Sequence, residues 1–371
     1  MLLVLGTALV LLGVALTVVL RPGADGAADD RVVDAASLQR SAPAVGHVFV
    51  INLENKSFRT TWGAGSAAPY LARRLRGQGV LLSHYFATAH HSLPDYVAQV
   101  SGQGPSAATQ ADCGRYTVFR TTGPAVKPQQ AVGTGCVYPT SVKTIGDQLS
   151  AQGLGWRAYL EDMTRPCQHP ALGATDPWHK ASSTSQYATR HNPFVYFRSI
   201  TSRAAYCKSH DVPLSELAGD LHKTSTTRAL TYITPDLCHD AHDRTCADGG
   251  PGGLRAANAF LKTWVPVIRK SPAYQADGML VITSDESEGS AAACCGEGGG
   301  PNAAKPGITG MGGGRVGALV LSPYVTGGAV SATPYNHYSL LATLEDVFGL
   351  TRLGYARRAT ATFVPEVFTA R

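Results

Sequence analysis

Charge is scarce in this 371-residue chain, with Asp, Glu, Lys and Arg making up only 16% of it. The formal net charge is +6, and no run of Lys or Arg interleaved with aromatic residues occurs anywhere. That excludes the electrostatic footprint of a nucleic-acid-binding protein. After the first twenty residues no apolar stretch reaches the roughly 20 residues that span a bilayer. No C-x2-C element is present, which argues against a zinc-finger framework. No internal repeat is visible.

What the chain does have is a 44% hydrophobic share, which rules out general disorder, together with 40 Gly and 22 Pro, which imply many loops around a packed framework. The length allows one large α/β domain or two smaller ones. Residues 1–20 carry no charge and stop at Arg21-Pro22 before an acidic, Ala/Gly-rich stretch. Residues 1–21 therefore read as a signal peptide or an N-terminal membrane anchor, and 22–43 as a linker. The remainder is expected to be extracytoplasmic, either secreted or held at the membrane through residues 2–20. The eight cysteines fit an oxidising compartment. Pairing of sequence neighbours would join Cys113 to Cys136, Cys167 to Cys207, Cys238 to Cys246 and the adjacent Cys294 and Cys295, with zinc ligation as the competing use.

Short continuous apolar runs at 45–53, 80–86, 229–233, 279–283 and 316–321 are the mark of a buried, mostly parallel sheet. Helical patterns fall between them near 70–76, 94–100, 142–151, 254–268 and 338–348, several ending at Gly77, Gly153 or Gly349 as C-caps. Alternating strand and helix give an α/β fold with helices flanking the sheet. Residues 103–225 hold four cysteines, lack this periodicity and read as a loop-rich, disulfide-containing insertion or lid. Residues 287–314 are too rich in Gly to pack a core and read as a long mobile loop.

Three of the apolar runs end in acidic or amide residues: Glu54-Asn55, Thr234-Pro235-Asp236, and Ser284-Asp285-Glu286. Ligands collect beyond the carboxyl ends of parallel strands, so Glu54, Asn55, Asp285 and Glu286 would converge there. Converging carboxylates repel unless a cation lies between them, and oxygen ligands with nearby imidazoles suit a divalent metal of unspecified identity. Each acidic pair on its own also fits a plain strand end. Between the second strand and its helix stands His90-His91-Ser92-Leu93-Pro94-Asp95. Ser92 would sit at a helix N-terminus, where free N–H groups and the dipole favour negative charge, although the same residues also form an ordinary capping sequence. A second dense run, His239-Asp240-Ala241-His242-Asp243, follows the third strand, and His337 opens the last helix. His47, His84, His169, His179, His210 and His222 are expected to be surface or packing residues.

These motifs resemble the phosphoesterases that include bacterial phospholipases C and acid phosphatases, within the alkaline-phosphatase superfamily. HVFVINLENKSF is similar to the family's opening E-N-x-S-F strand, and ATAHHSLPDYVAQVSG to its H-P-S-x-P-N-Y segment. ATRHNPFVYF, YITPDLCHDAHD and VITSDESEG follow in family order, and GGRVGALVLSPYV with NHYSLLATLEDVFGL matches the closing strand and helix. The resemblance implies an alkaline-phosphatase-like fold over 44–371 and Ser92 as nucleophile. It also implies Glu54, Asn55, Asp285 and Glu286 as metal ligands, with Asn55 touching metal or phosphate. His90, His191 and His242 would contact phosphate or transfer protons, with Asp243 a weaker neighbour, and His337 would help bind substrate. The sequence departs from the pattern at His91, where Pro is usual, and at Asp95, where Asn is usual. The implied activity is metal-dependent hydrolysis of a small phosphate ester through a phosphoserine. The alternatives are a phospholipase C acting on phospholipid head groups and a non-catalytic, envelope-anchored scaffold that binds a phosphate ligand.

Overall fold

The structure, a computed structural model, describes residues 44–297 and 299–369; the signal or anchor segment and the linker lie outside the described residues. Its centre is an eight-stranded sheet. In chain order the strands are β1 (His47–Leu53), β2 (Val80–Leu82), β3 (Trp156–Leu160), β4 (Asp211–Pro213), β5 (Leu230–Thr234), β6 (Gly278–Ser284), β7 (Ala318–Leu321) and β8 (Val330–Ser331). They lie side by side as β8-β2-β7-β6-β1-β5-β3-β4. Only β7 runs against the others, pairing antiparallel with β2 and β6.

β1 shows why the sheet is buried on both sides. Its alternate residues Val48 and Val50 join the core under α1 (Ser92–Ser101), α2 (Ile145–Ala151) and α4 (His337–Val347). Phe49, Ile51 and Leu53 join the core on the other face, under α3 (Gly253–Lys270). A strand buried on both faces has no polar alternation to show, hence its continuous apolar run. α2 starts at a capping box between Thr144 and Asp147, and α4 at one between Asn336 and Ser339. Gly153 and Gly349 carry the positive φ of residues just past a helix end, whereas the turn at 70–75 runs on through Gly77 as a 3-10 segment to Gln78.

Two expectations need correction. Residues 103–225 are not set apart from the sheet, because they supply β3 and β4 on its far edge. Both strands escape a periodicity search: Arg157 interrupts the first, and the second is three residues long and ends on a proline that an edge strand tolerates. The described residues of 287–314 are hydrogen-bonded to the rest of the fold instead of hanging free. Ser287 N–H donates to Gly313 O, Gly313 N–H to Ala87 O and Ala87 N–H to Gly314 O, and Asn302 bridges to Ala131 and Gly133. The glycines serve close approach: a Cβ on Gly313 would lie 2.0 Å from Ala89 O.

The four expected disulfides are all present: Cys113–Cys136, Cys167–Cys207, Cys238–Cys246 and the vicinal Cys294–Cys295. Among the described residues no helix is long and apolar enough to cross a membrane.

Candidate active site at the carboxyl ends of β1, β5 and β6

Register alone brings the first two acidic pairs together. β1 and β6 run parallel with Leu53 opposite Ser284, so Glu54-Asn55 and Asp285-Glu286 leave the sheet side by side although about 230 residues apart in sequence. Asp285 N–H donates to Leu53 O, and Glu54 N–H to Asp240 O from the loop after β5. Asn55, at a positive φ of 29°, turns its backbone N–H onto Asp285 Oδ1 at 2.9 Å and its side-chain amide onto Glu286 Oε1 at 2.8 Å.

α1 adds the hydroxyls. Ser92, at its first turn, donates to Glu54 Oε2 at 2.8 Å, and Tyr96, one turn on, donates to Glu54 Oε1 at 2.6 Å. His191 stacks on the Tyr96 ring and places Nε2 3.3 Å from Glu54 Oε2 and Nδ1 3.6 Å from Asp240 Oδ2. Glu54, Asp240, Asp285, Glu286 and His191 are all buried.

Burial, then the neighbouring charges of Asp285 and Asp240, push the Glu54 carboxyl well above its usual range. Burial likewise raises Asp240, and lifts Asp285 to about 6. Four buried carboxylates at close quarters cannot all be ionised at neutral pH without a positive partner. Asn55 Oδ1, Asp240 Oδ2, Asp285 Oδ2 and both ring nitrogens of His191 make no hydrogen bond. Buried polar atoms are normally paired, so this concentration of bare oxygen and imidazole acceptors fits a divalent cation. Glu54, His191 and Asp240 already hold their ligand atoms within 4.8 Å of one another.

The remaining histidines divide by position. His90 turns Nδ1 to Glu286 Oε2 and donates from Nε2 to Ser290 O at 2.9 Å, so it props a carboxylate, and burial lowers its pKa. His242 stands exposed at the mouth with Nδ1 2.7 Å from Asp243 Oδ1. His337, expected to meet substrate, lies instead wholly buried behind the site. Its Nε2 donates to the main-chain oxygen of Asp285 at 2.5 Å while Nδ1 accepts from Tyr85 and Gln99. Burial drops its pKa to about 4, so it stays neutral and braces Asp285.

The two departures from the family pattern also resolve into positions. Asp95 faces inward, where Oδ1 accepts from Thr88 N–H, Thr88 hydroxyl and Ala89 N–H, tying the segment before Ser92 to α1. His91 is exposed and faces Asp112.

Sequence reasoning passed over Asp240, Tyr96, Asp112 and Arg190. Asp112 accepts from Leu93 N–H at the start of α1 and faces both His91 and Arg190. Burial lowers the His191 pKa, and Arg190, nine-tenths buried beside it, adds to that while only partly offsetting the rise of Glu54. The signal for Asp240 was its place in the His-Asp-x-His-Asp run; the others carry none in a single sequence. His239, from the same run, turns away to Glu161 and Asp236.

Comparison with known proteins agrees with this architecture. The chain is 26% identical over 281 residues to the phosphate-repressible acid phosphatase of Penicillium chrysogenum, covering 76% of this chain and 55% of that one. It thus spans about half the length of that relative. It is 23% identical over 317 residues to the phosphatidylinositol-3-phosphatase of Mycobacterium tuberculosis, covering 85% and 81%. A protein of the alkaline phosphatase superfamily from Vibrio parahaemolyticus superposes with a TM-score of 0.50 at 11% identity, over 84% of this chain and 69% of that one. That likeness is one of fold. Residues 66–351, most of the chain, match the Phosphoesterase family, and the chain belongs to it.

Proposed function

We propose that this chain hydrolyses phosphate monoesters outside the cytoplasm, with Ser92 as nucleophile. The observation that carries this reading is the Ser92 hydroxyl, directed at Glu54 inside a ring of buried carboxylates whose free atoms suit a cation. Family membership, relatives named as phosphatases and four disulfides support it.

A divalent ion held by Glu54, Asn55, Asp285 and Glu286, with Asp240 and His191 beside them, would supply a lowered hydroxyl pKa and charge neutralisation at the phosphoryl oxygens. Ser92 Oγ attacks phosphorus in line, and its proton departs along the hydrogen bond to Glu54 Oε2. The bond from phosphorus to the ester oxygen breaks, leaving a phosphoserine and an alkoxide. His242 faces solvent, where the alcohol leaves. With Nδ1–H held by Asp243, the imidazolium form of His242 gives its Nε2 proton to the alkoxide. Nε2 then takes a proton from the attacking water, the bond from phosphorus to Ser92 Oγ breaks to release phosphate, and Glu54 returns the proton to Ser92. Arg190 and His191 stand over the site to meet the phosphoryl oxygens. His90 and His337 hold Glu286 and Asp285 in place and touch no substrate.

The test is initial-rate hydrolysis of 4-nitrophenyl phosphate by metal-loaded protein, by the same protein after chelation, and by Ser92→Ala. Chelation is expected to stop turnover, and the variant to lose about 10³-fold or more in kcat. Full activity in Ser92→Ala overturns the assignment. Tight phosphate binding without turnover of any ester points to the scaffold alternative.

A further inference from the structure

His242 is shared by two clefts. One, of about 360 Å³, is lined by His179, Lys180, Arg190 and Asp243. The other, of about 470 Å³, is lined by Lys56, Thr60, Arg244, Arg255 and Glu288 and starts from the residues that follow Asn55 and Glu286. The second cleft has no part in the mechanism, yet it lies directly past the group assigned to protonate the leaving alcohol.

Its charge is lopsided. Among the described residues the one acidic side chain lining it, Glu288, is already engaged, with Lys56 Nζ at 3.0 Å and the Thr60 hydroxyl at 2.9 Å. Arg244 and Arg255 have no carboxylate within 4.0 Å among the described residues. Arg255 belongs to the first turn of α3, which has no acidic residue and no side-chain cap, so the helix dipole adds to the same positive field. Two exposed guanidiniums lining one cleft offer several N–H donors, which a doubly charged anion with several acceptor oxygens matches. None of the exposed large apolar residues, such as Val118, Ile308 or Met311, lines this cleft, so it offers a bilayer nothing to bury.

We infer that the substrate is a small, soluble phosphomonoester whose leaving alcohol carries a second phosphate, seated between Arg244 and Arg255 while the first faces Ser92. This rests on the phosphomonoesterase reading and names its substrate class. With the far phosphate fixed, the scissile ester is held between Ser92 and His242, so the added binding orients the reacting atoms.

The test compares glucose 1,6-bisphosphate with glucose 6-phosphate as substrates of the metal-loaded protein and of an Arg244→Gln/Arg255→Gln double variant. The bisphosphate is expected to have the higher kcat/KM by about tenfold or more, the worth of one charge-assisted contact. In the double variant the ratio should fall towards one, mainly through KM. A ratio near one in the unaltered protein, or one that the double substitution leaves unchanged, overturns the inference. Titration calorimetry of the same two sugars against Ser92→Ala supplies a readout that needs no catalysis. There, tighter binding of the bisphosphate that disappears with the two arginines upholds the inference, and equal binding overturns it. Absence of turnover for both sugars alongside that binding difference would count against the hydrolase reading alone.

Discussion

Two regions of this molecule bury carboxylates, and they treat them in opposite ways. At the edge of the sheet, Asp211 on β4 is fully buried, and the Asn192 side-chain amide donates to both its oxygens at 3.0 and 2.9 Å. Cys167 N–H donates to Asp211 O, and the Cys167–Cys207 disulfide crosses the same spot. Every oxygen there is satisfied by a neutral group, and the result is a clamp. At the centre, Asp240 and Asp285 each keep a bare oxygen. Burial of charge is therefore not itself the mark of a functional site in this fold, nor is one bare oxygen, since Asp176 and Glu345 each bury one alone; a cluster of under-donated carboxylates is.

The sharpest way to break that contrast is Asp285→Asn. It removes one buried charge and replaces the bare Oδ2 by an amide, while the remaining oxygen still accepts from Asn55 N–H. Activity should fall about 10³-fold or more, while the metal-free protein, relieved of like-charge repulsion, should melt a few degrees higher, at about 1–2 °C per kcal/mol for a chain of this size. The usual rise in melting temperature on adding metal should be absent. A metal-free variant less stable than its parent would show that the central carboxylates are already satisfied.

At the edge the opposite pattern is expected. Cys167→Ser with Cys207→Ser opens a cross-link between residues 40 apart and should cost about 2–5 kcal/mol in denaturant unfolding. Turnover below the new midpoint should be unaffected, because the clamp touches no reacting group. A large loss of kcat at low temperature would mean that the edge shapes the site.

The smallest effect concerns pH. Burial lifts the Asp211 carboxyl from its usual 3.8 to about 7, so between those values the folded chain holds a proton that the unfolded chain has released. Stability from this group is complete below pH 3.8 and declines as pH rises through 7. Asp211→Asn lacks that slope, and unfolding measured from pH 4 to 8 should show the variant gaining on its parent by about 1–3 kcal/mol. Parallel curves would mean that Asp211 is ionised in the folded protein.

The strands that carry chemistry were the legible ones. β1, β5 and β6 are buried on both faces, so they read as apolar runs, and each ends in polar residues because ligand sites form where such strands stop. β3 and β4 were hidden since an edge strand needs neither property. In the site, motif order was enough to single out Glu54, Asn55, Ser92, Asp285 and Glu286, which the fold brings together. The role of His337 was misjudged because a helix-opening histidine looks the same whether it points at solvent or at a main-chain oxygen behind the pocket. Arg190 and Asp112 were missed because their meaning lies only in what they face. Asp95 stood out only as a departure from the family pattern, while its three hydrogen bonds show that the backbone before Ser92 is what depends on it.

The close passage of Gly313 over Ala89 bears on how this protein can change through evolution. Low-complexity stretches are usually where a lineage drifts freely. Here the backbone of one such stretch lies against the segment that leads into Ser92, leaving no room for even one methyl group. In a library of single substitutions, Gly313 should therefore tolerate as little as the nucleophile does, and insertions that lengthen this stretch should survive near Ile308 and Met311, at its exposed tip.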